Sequence, residues 1–152
     1  MSLIVDLFSA LAIKRPARAA TLAELTDRLE AGGRAIANRC LAAPNTIGNR
    51  AALRHIVGIE RWGQRRLRTL LGEPAVEDES DAYLPDAALG WAELQGRFAA
   101  TRRETAALAR QLVAADPGDD RTARHNDQGP LTAREWVRYL TLHARLESLR
   151  IR

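Results

Sequence analysis

The sequence predicts an all-α protein, an antiparallel four-helix bundle, and three observations carry that expectation. Ala, Leu and Arg are heavily used while Val, Ile and aromatic residues are sparse, a composition that favours helix over strand. Apolar residues recur three and four apart along four long segments, the spacing that gathers them on one face of a helix. Each segment also has its own start or stop signal. At 152 residues the chain is the size of one domain around one core, so 1–152 is read as a single unit.

A short segment, 1–16, comes first. In it Leu3, Ile4, Leu7, Phe8 and Leu11 keep helical spacing and read as a small docking helix. The segment contains Asp6, ends at Lys14, Arg15 and Pro16, and lacks both a basic start and a small-residue cleavage site, so it does not read as a signal peptide. No apolar run approaches the roughly 20 residues of a membrane span. The first long helix, about 21–42, opens at a capping box of Thr21 with Glu24. It turns Leu22, Leu25, Leu29, Ile36 and Cys40 inward and stops before Pro44. The second, about 49–71, has Asn49 as its cap, carries Leu53, Ile56, Ile59, Leu67 and Leu70, and closes at Gly72, where glycine best accepts the left-handed conformation. An acidic loop, 77–81, follows. The third, about 86–115, begins after Pro85 and presents Trp91, Leu94, Phe98, Thr101, Thr105, Leu108 and Leu112 as a seam. Asp116, Pro117 and Gly118 end it. A polar loop, 119–130, leads to a second capping box, Thr132 with Glu135, which opens the fourth helix, about 132–151. No strand is expected.

The formal net charge is +4 and Lys14 is the only lysine. The arginines are spread over polar helix faces without an interleaved aromatic platform, which reads as a solvated surface rather than a nucleic-acid stripe. Cys40 stands alone, so no intramolecular disulfide can form, and a cytoplasmic location is expected.

The chemistry concentrates on the fourth helix. At about 100° per residue, Trp136, Leu140, His143, Glu147 and Ile151 share one stripe, while Arg134, Arg138, Thr141, Arg145 and Arg152 face away. An ionised carboxylate in an apolar arc needs a partner. For Glu147 that partner is either a cation shared with His143 or His143 itself. On the second helix His55 lies toward the edge of the stripe of Ile59 and Trp62, and reads as a further ligand or as a half-buried packing residue. Glu60 projects between Leu53 and Leu67 on the apolar side, which calls for an Arg from another helix. Its other reading, a general base, makes it the one catalytic candidate. His125 reads as a solvated loop residue. Trp62, Trp91 and Trp136 read as core anchors, with Trp62 and Trp136 also placed to wall a pocket. Thr101 and Thr105 either line a pocket or bond back to helix carbonyls, and Cys40 reads as a small buried hydrophobe.

The stretch HIVGIERW at 55–62, followed by GPLTAREW at 129–136 leading to His143, resembles the DinB-like (DinB/YfiT) superfamily of four-helix-bundle proteins over about residues 20–150. That family is related to mycothiol- and bacillithiol-dependent transferases. The resemblance implies a divalent metal, often nickel or zinc, held by a His on the second helix and two His residues four apart on the last. His55 and His143 match the first two positions. Glu147 stands where the family usually has its third His, so the implied set is His55, His143 and Glu147. Two imidazoles and a carboxylate are a ligand set of catalytic zinc and of non-haem iron, which adds iron to the expected ions. The resemblance further implies metal-dependent hydrolysis or transfer to a low-molecular-weight thiol, a small-molecule substrate, and a homodimer. The alternative class is a metal-free helical bundle with a structural or regulatory interaction role.

Overall fold

Thr21 and Glu24 do what the capping box requires: the Glu24 amide donates to the Thr21 hydroxyl at 3.2 Å and the Thr21 amide to Glu24 Oε2 at 2.8 Å. They start α1, Leu22–Ala42, which ends as the backbone turns extended at Ala43 before Pro44. In the computed structural model, which describes residues 9–152, three more long helices follow: α2, Ile47–Leu70; α3, Trp91–Ala115; and α4, Ala133–Ser148. A two-stranded antiparallel sheet, β1 (Ala123–His125) with β2 (Gly129–Leu131), precedes α4. The chain is therefore mostly helical, of the all-α class. Among the described residues no helix is long and apolar enough to cross a membrane.

Several boundaries depart from the sequence expectation. Thr46 caps α2 rather than Asn49, whose amide donates to the Thr46 hydroxyl at 3.1 Å. Asn49 is buried and instead clamps the far end of the chain: its side chain donates to the Pro44 and Arg152 carbonyls, each at 2.8 Å, and accepts from the Arg152 amide at 3.1 Å. That clamp holds the chain after Ser148 in tight turns, so α4 stops short of residue 151. At the end of α2, Gly72 takes a φ of 110°, a conformation that side chains with a Cβ resist. The expected start of α3 at 86 is five residues early. The stretch after Pro85 forms a turn held by Asp86, and the helix begins only where Glu93 returns to the Gly90 amide. The loop read as strand-free holds the hairpin, in which Ala123 pairs with Leu131 and His125 with Gly129.

The apolar stripes bury two clusters. One gathers Leu25 and Leu29 of α1, Trp62 and Leu67 of α2, Leu112 of α3, and Trp136 of α4. The other gathers Ile36, Leu53, Phe98 and Ala144. The early halves of α1 and α4 thus share one end of the molecule with the late halves of α2 and α3. Accordingly α1 runs antiparallel to α3 but parallel to α4, and α2 antiparallel to α4 but parallel to α3. The fully antiparallel arrangement expected from the sequence does not occur, because residues 71–90 are long enough to run back alongside α2, where Leu84 lies against Gly58 and Arg54 Nε donates to the Pro85 carbonyl at 2.6 Å, and so to start α3 at the same end as α2. Packing joins α1 to α3 and α4, and α2 to the same two, whereas α1 and α2 make no substantial contact. Between the clusters lies a buried polar layer of Glu60, Gln64, Thr101, Arg102 and Thr105.

Of the expected docking helix, Leu3, Ile4, Leu7 and Phe8 lie outside the described residues. The remainder is a π-helical turn, Ser9–Lys14, running into a short α-helix, Arg15–Arg18. Ile13 and Ala17 are fully buried, and Arg138 Nε donates to the Ala12 carbonyl at 3.2 Å. The segment thus covers part of the α4 face that the sequence assigns to solvent.

Candidate metal centre

Because α2 and α4 run antiparallel, an early residue of one can meet late residues of the other. His55 meets His143 and Glu147 in this way. The two imidazole Nε2 atoms stand 3.2 Å apart, with ring centroids at 5.1 Å and planes inclined by 59°. Each of the three residues offers one ligand atom, and these atoms all lie within 4.8 Å of one another. All three are half-buried. The Glu147 carboxylate also accepts a 2.8 Å hydrogen bond from Arg150, three residues on. Burial, reinforced by His55, pushes the His143 imidazole down to about 4, with Glu147 pulling the other way. His143 is therefore neutral near pH 7, the form in which imidazole binds metal. At 3.2 Å two neutral imidazole nitrogens cannot both present lone pairs to each other. One of them must carry the proton, or both must face a shared cation.

The surroundings are aromatic. Tyr139, one turn before His143, packs on it at 5.8 Å between centroids, and His125 meets Tyr139 edge-on at 4.5 Å. His125 also stacks on Trp136 at 5.3 Å and abuts Trp62 at 5.0 Å. This corrects the expectation of a solvated loop histidine, because His125 is only 4% exposed. Its Nδ1 accepts from the amides of Asp127 and Gln128 at 3.1 and 3.3 Å, which places the proton on Nε2. That Nε2 is buried without a partner among the described residues. Burial pushes the imidazole down to about 4. The local signal was the alternation of β1, buried at Ala123 and His125 and exposed at Arg124.

Glu60 finds the arginine its position called for. Arg102 Nη2 donates to its carboxylate at 2.8 Å, and both side chains are nearly inaccessible. It faces α3, whereas the triad lies on the α4 side of α2. Trp62, Trp91 and Trp136 are all buried, and the Trp136 indole donates to the Ala123 carbonyl at 2.9 Å. Thr105 bonds back to the Thr101 carbonyl, and Gln64 donates to both residues. Cys40 is buried, and that burial pushes its thiol up to about 11. Two concavities of the molecule, about 570 and 510 Å³, are lined by other residues, and the half-buried triad lies where α2 packs on α4. Comparison with protein-family models, curated proteins and solved structures found no match to this chain.

Proposed function

We propose that the chain is a DinB-like four-helix bundle that holds one divalent cation, zinc, nickel or iron, through His55, His143 and Glu147. Its activity is then metal-dependent hydrolysis of a small-molecule substrate or transfer to a small thiol. The observation that carries this reading is the 3.2 Å approach of the two Nε2 atoms beside a carboxylate. Two imidazole nitrogens bound at 2.0–2.1 Å to one tetrahedral zinc lie roughly 3.3 Å apart. The donor set fits in charge as well: two neutral imidazoles and one anion suit a divalent ion, and the depressed basicity of His143 keeps it unprotonated at neutral pH. The Arg150 hydrogen bond orients the Glu147 carboxylate, the role that outer partners commonly play for ligating groups. When bound, the cation supplies Lewis acidity toward a water or a thiol. His55, His143 and Glu147 are each half-buried, so the group is partly exposed to solvent.

The test is elemental analysis of untagged protein and of His143→Ala after titration with zinc, nickel, iron and manganese and removal of excess ion. About one metal per chain, lost in the variant, is the expected outcome. No bound metal under any of these conditions overturns the proposal in favour of a metal-free bundle that serves interaction.

A further inference from the structure

The helix packing puts the α1–α3 interface on the side of the molecule opposite the α2–α4 seam. There the two helices enclose a groove of about 510 Å³, within the size range of small-molecule sites. Its floor is apolar and made of small residues around one ring: Ala37, Phe98, Ala99 and Ala106. Its rim is cationic. Arg34, Arg103 and Arg110 line it against a single acid, Glu30, which is already paired with Arg110. Arg34 and Arg103 are exposed and form no ion pair among the described residues.

Beneath them the buried Arg102 forms part of the wall. A Cβ at Gly33 would stand 2.6 Å from Arg102 Cγ, so glycine is what admits the guanidinium stem. The Arg102 Nη atoms donate to the Leu29 carbonyl and to Glu60, but its buried Nε has no acceptor among the described residues. The larger concavity differs in charge. Its Arg65 and Arg66 are neutralised by Glu73 and Asp78, and Glu77 and Glu79 also line it.

We propose that the α1–α3 groove binds a small organic anion, a carboxylate on an apolar body. The head lies against the Arg34 and Arg103 guanidinium groups, which suit a carboxylate by forked hydrogen bonding. The body covers Phe98 and the alanines, where burial of apolar surface adds affinity. The site is independent of the triad.

Calorimetric titration of the full chain with octanoate, acetate and octanol tests this. Octanoate binds one per chain, and acetate, which lacks the body, and octanol, which lacks the charge, bind at least tenfold more weakly. Ala99→Trp fills the floor and leaves every charge in place. Arg34→Glu with Arg103→Glu reverses the rim and leaves the floor intact, and both positions are exposed, so this pair folds even where the Trp variant does not. Each weakens octanoate at least tenfold, whereas His143→Ala leaves it unchanged. Octanoate binding that survives the rim variant, or octanol binding as tightly as octanoate, overturns the proposal. So does a wild-type dimer that Ala99→Trp dissociates, because the groove then belongs to a second copy.

Discussion

Replacing Arg102 with Met keeps an unbranched stem beneath Gly33 and removes the guanidinium that faces Glu60. The pair is 2.8 Å apart, with side chains 7% and 2% exposed, and deleting one member of such a buried pair costs about 3–5 kcal/mol because the other charge is left uncompensated. At about 2–4 °C per kcal/mol for a domain of this size, the melting temperature falls by roughly 6–20 °C. The deficit depends on pH, and its sign follows from Glu60. Burial raises that carboxyl above its ordinary 4.5, with Arg102 pulling it back down. A carboxyl raised in the folded state favours folding most below its unfolded pKa, and that contribution disappears as pH rises through the folded value. Without Arg102 the folded value climbs further. The variant is therefore weakest near neutrality and recovers as pH falls toward 4.5. Adding Glu60→Gln removes the charge and with it the pH-dependent part. Urea unfolding followed by circular dichroism between about pH 5 and 8 measures this. A variant as stable as wild type at neutral pH, or a deficit that stays constant with pH, refutes the reasoning.

Gly63→Ala places a Cβ 2.5 Å from Leu140 Cδ2 in the core. Overpacking of about 1–3 kcal/mol outweighs the roughly 1 kcal/mol gained in helix propensity, so chemical denaturation should show a net loss, and a stabilised variant would show that α2 and α4 can move apart. The depressed imidazole of His125 contributes stability above its unfolded value of 6.5 that is lost as pH falls through about 4. His125→Asn keeps an acceptor for the hairpin amides and makes that acid limb shallower, leaving the parts due to His143 and to the depressed carboxyl of Asp78; an undiminished limb would place the sensitivity elsewhere. Glu147→His, read by zinc or nickel titration, keeps or tightens binding, and a complete loss would give Glu147 a different purpose.

The helices could be read from sequence because their signals are local. Thr21 with Glu24 and Thr132 with Glu135 fix two starts within a single turn. The start of α3 was misplaced because glycine has no side chain with which to form a visible box; only Glu93 reaching back to Gly90 marks it. Strands of three residues are too short for alternation to stand out, so the hairpin was missed. The burial of His125 went with it, since the rings enclosing that residue come from α2 and α4. An amphipathic stripe says which face turns inward but not which helix it meets, so the parallel pairs were beyond its reach. At the candidate site, the four-residue spacing of His143 and Glu147 was visible in the sequence, while the approach of His55 depends on the pairing of α2 with α4.

Residues 43–46 join α1 to α2 directly, yet neither helix finds its core partner in the other. The side-chain bonds that knit the interior span long separations: 37 positions from Gln64 to Thr101, 73 from Arg102 to Leu29, and 88 from His143 to His55. No local helical hairpin can therefore bury its apolar face early, and a fold with so many remote contacts forms more slowly than an up-and-down helical protein of equal length. During synthesis the first two helices wait, apolar stripes uncovered, until the second pair emerges. A cut in the 71–90 connection would yield two pieces, neither able to hold a structure by itself and each supplying the core the other lacks.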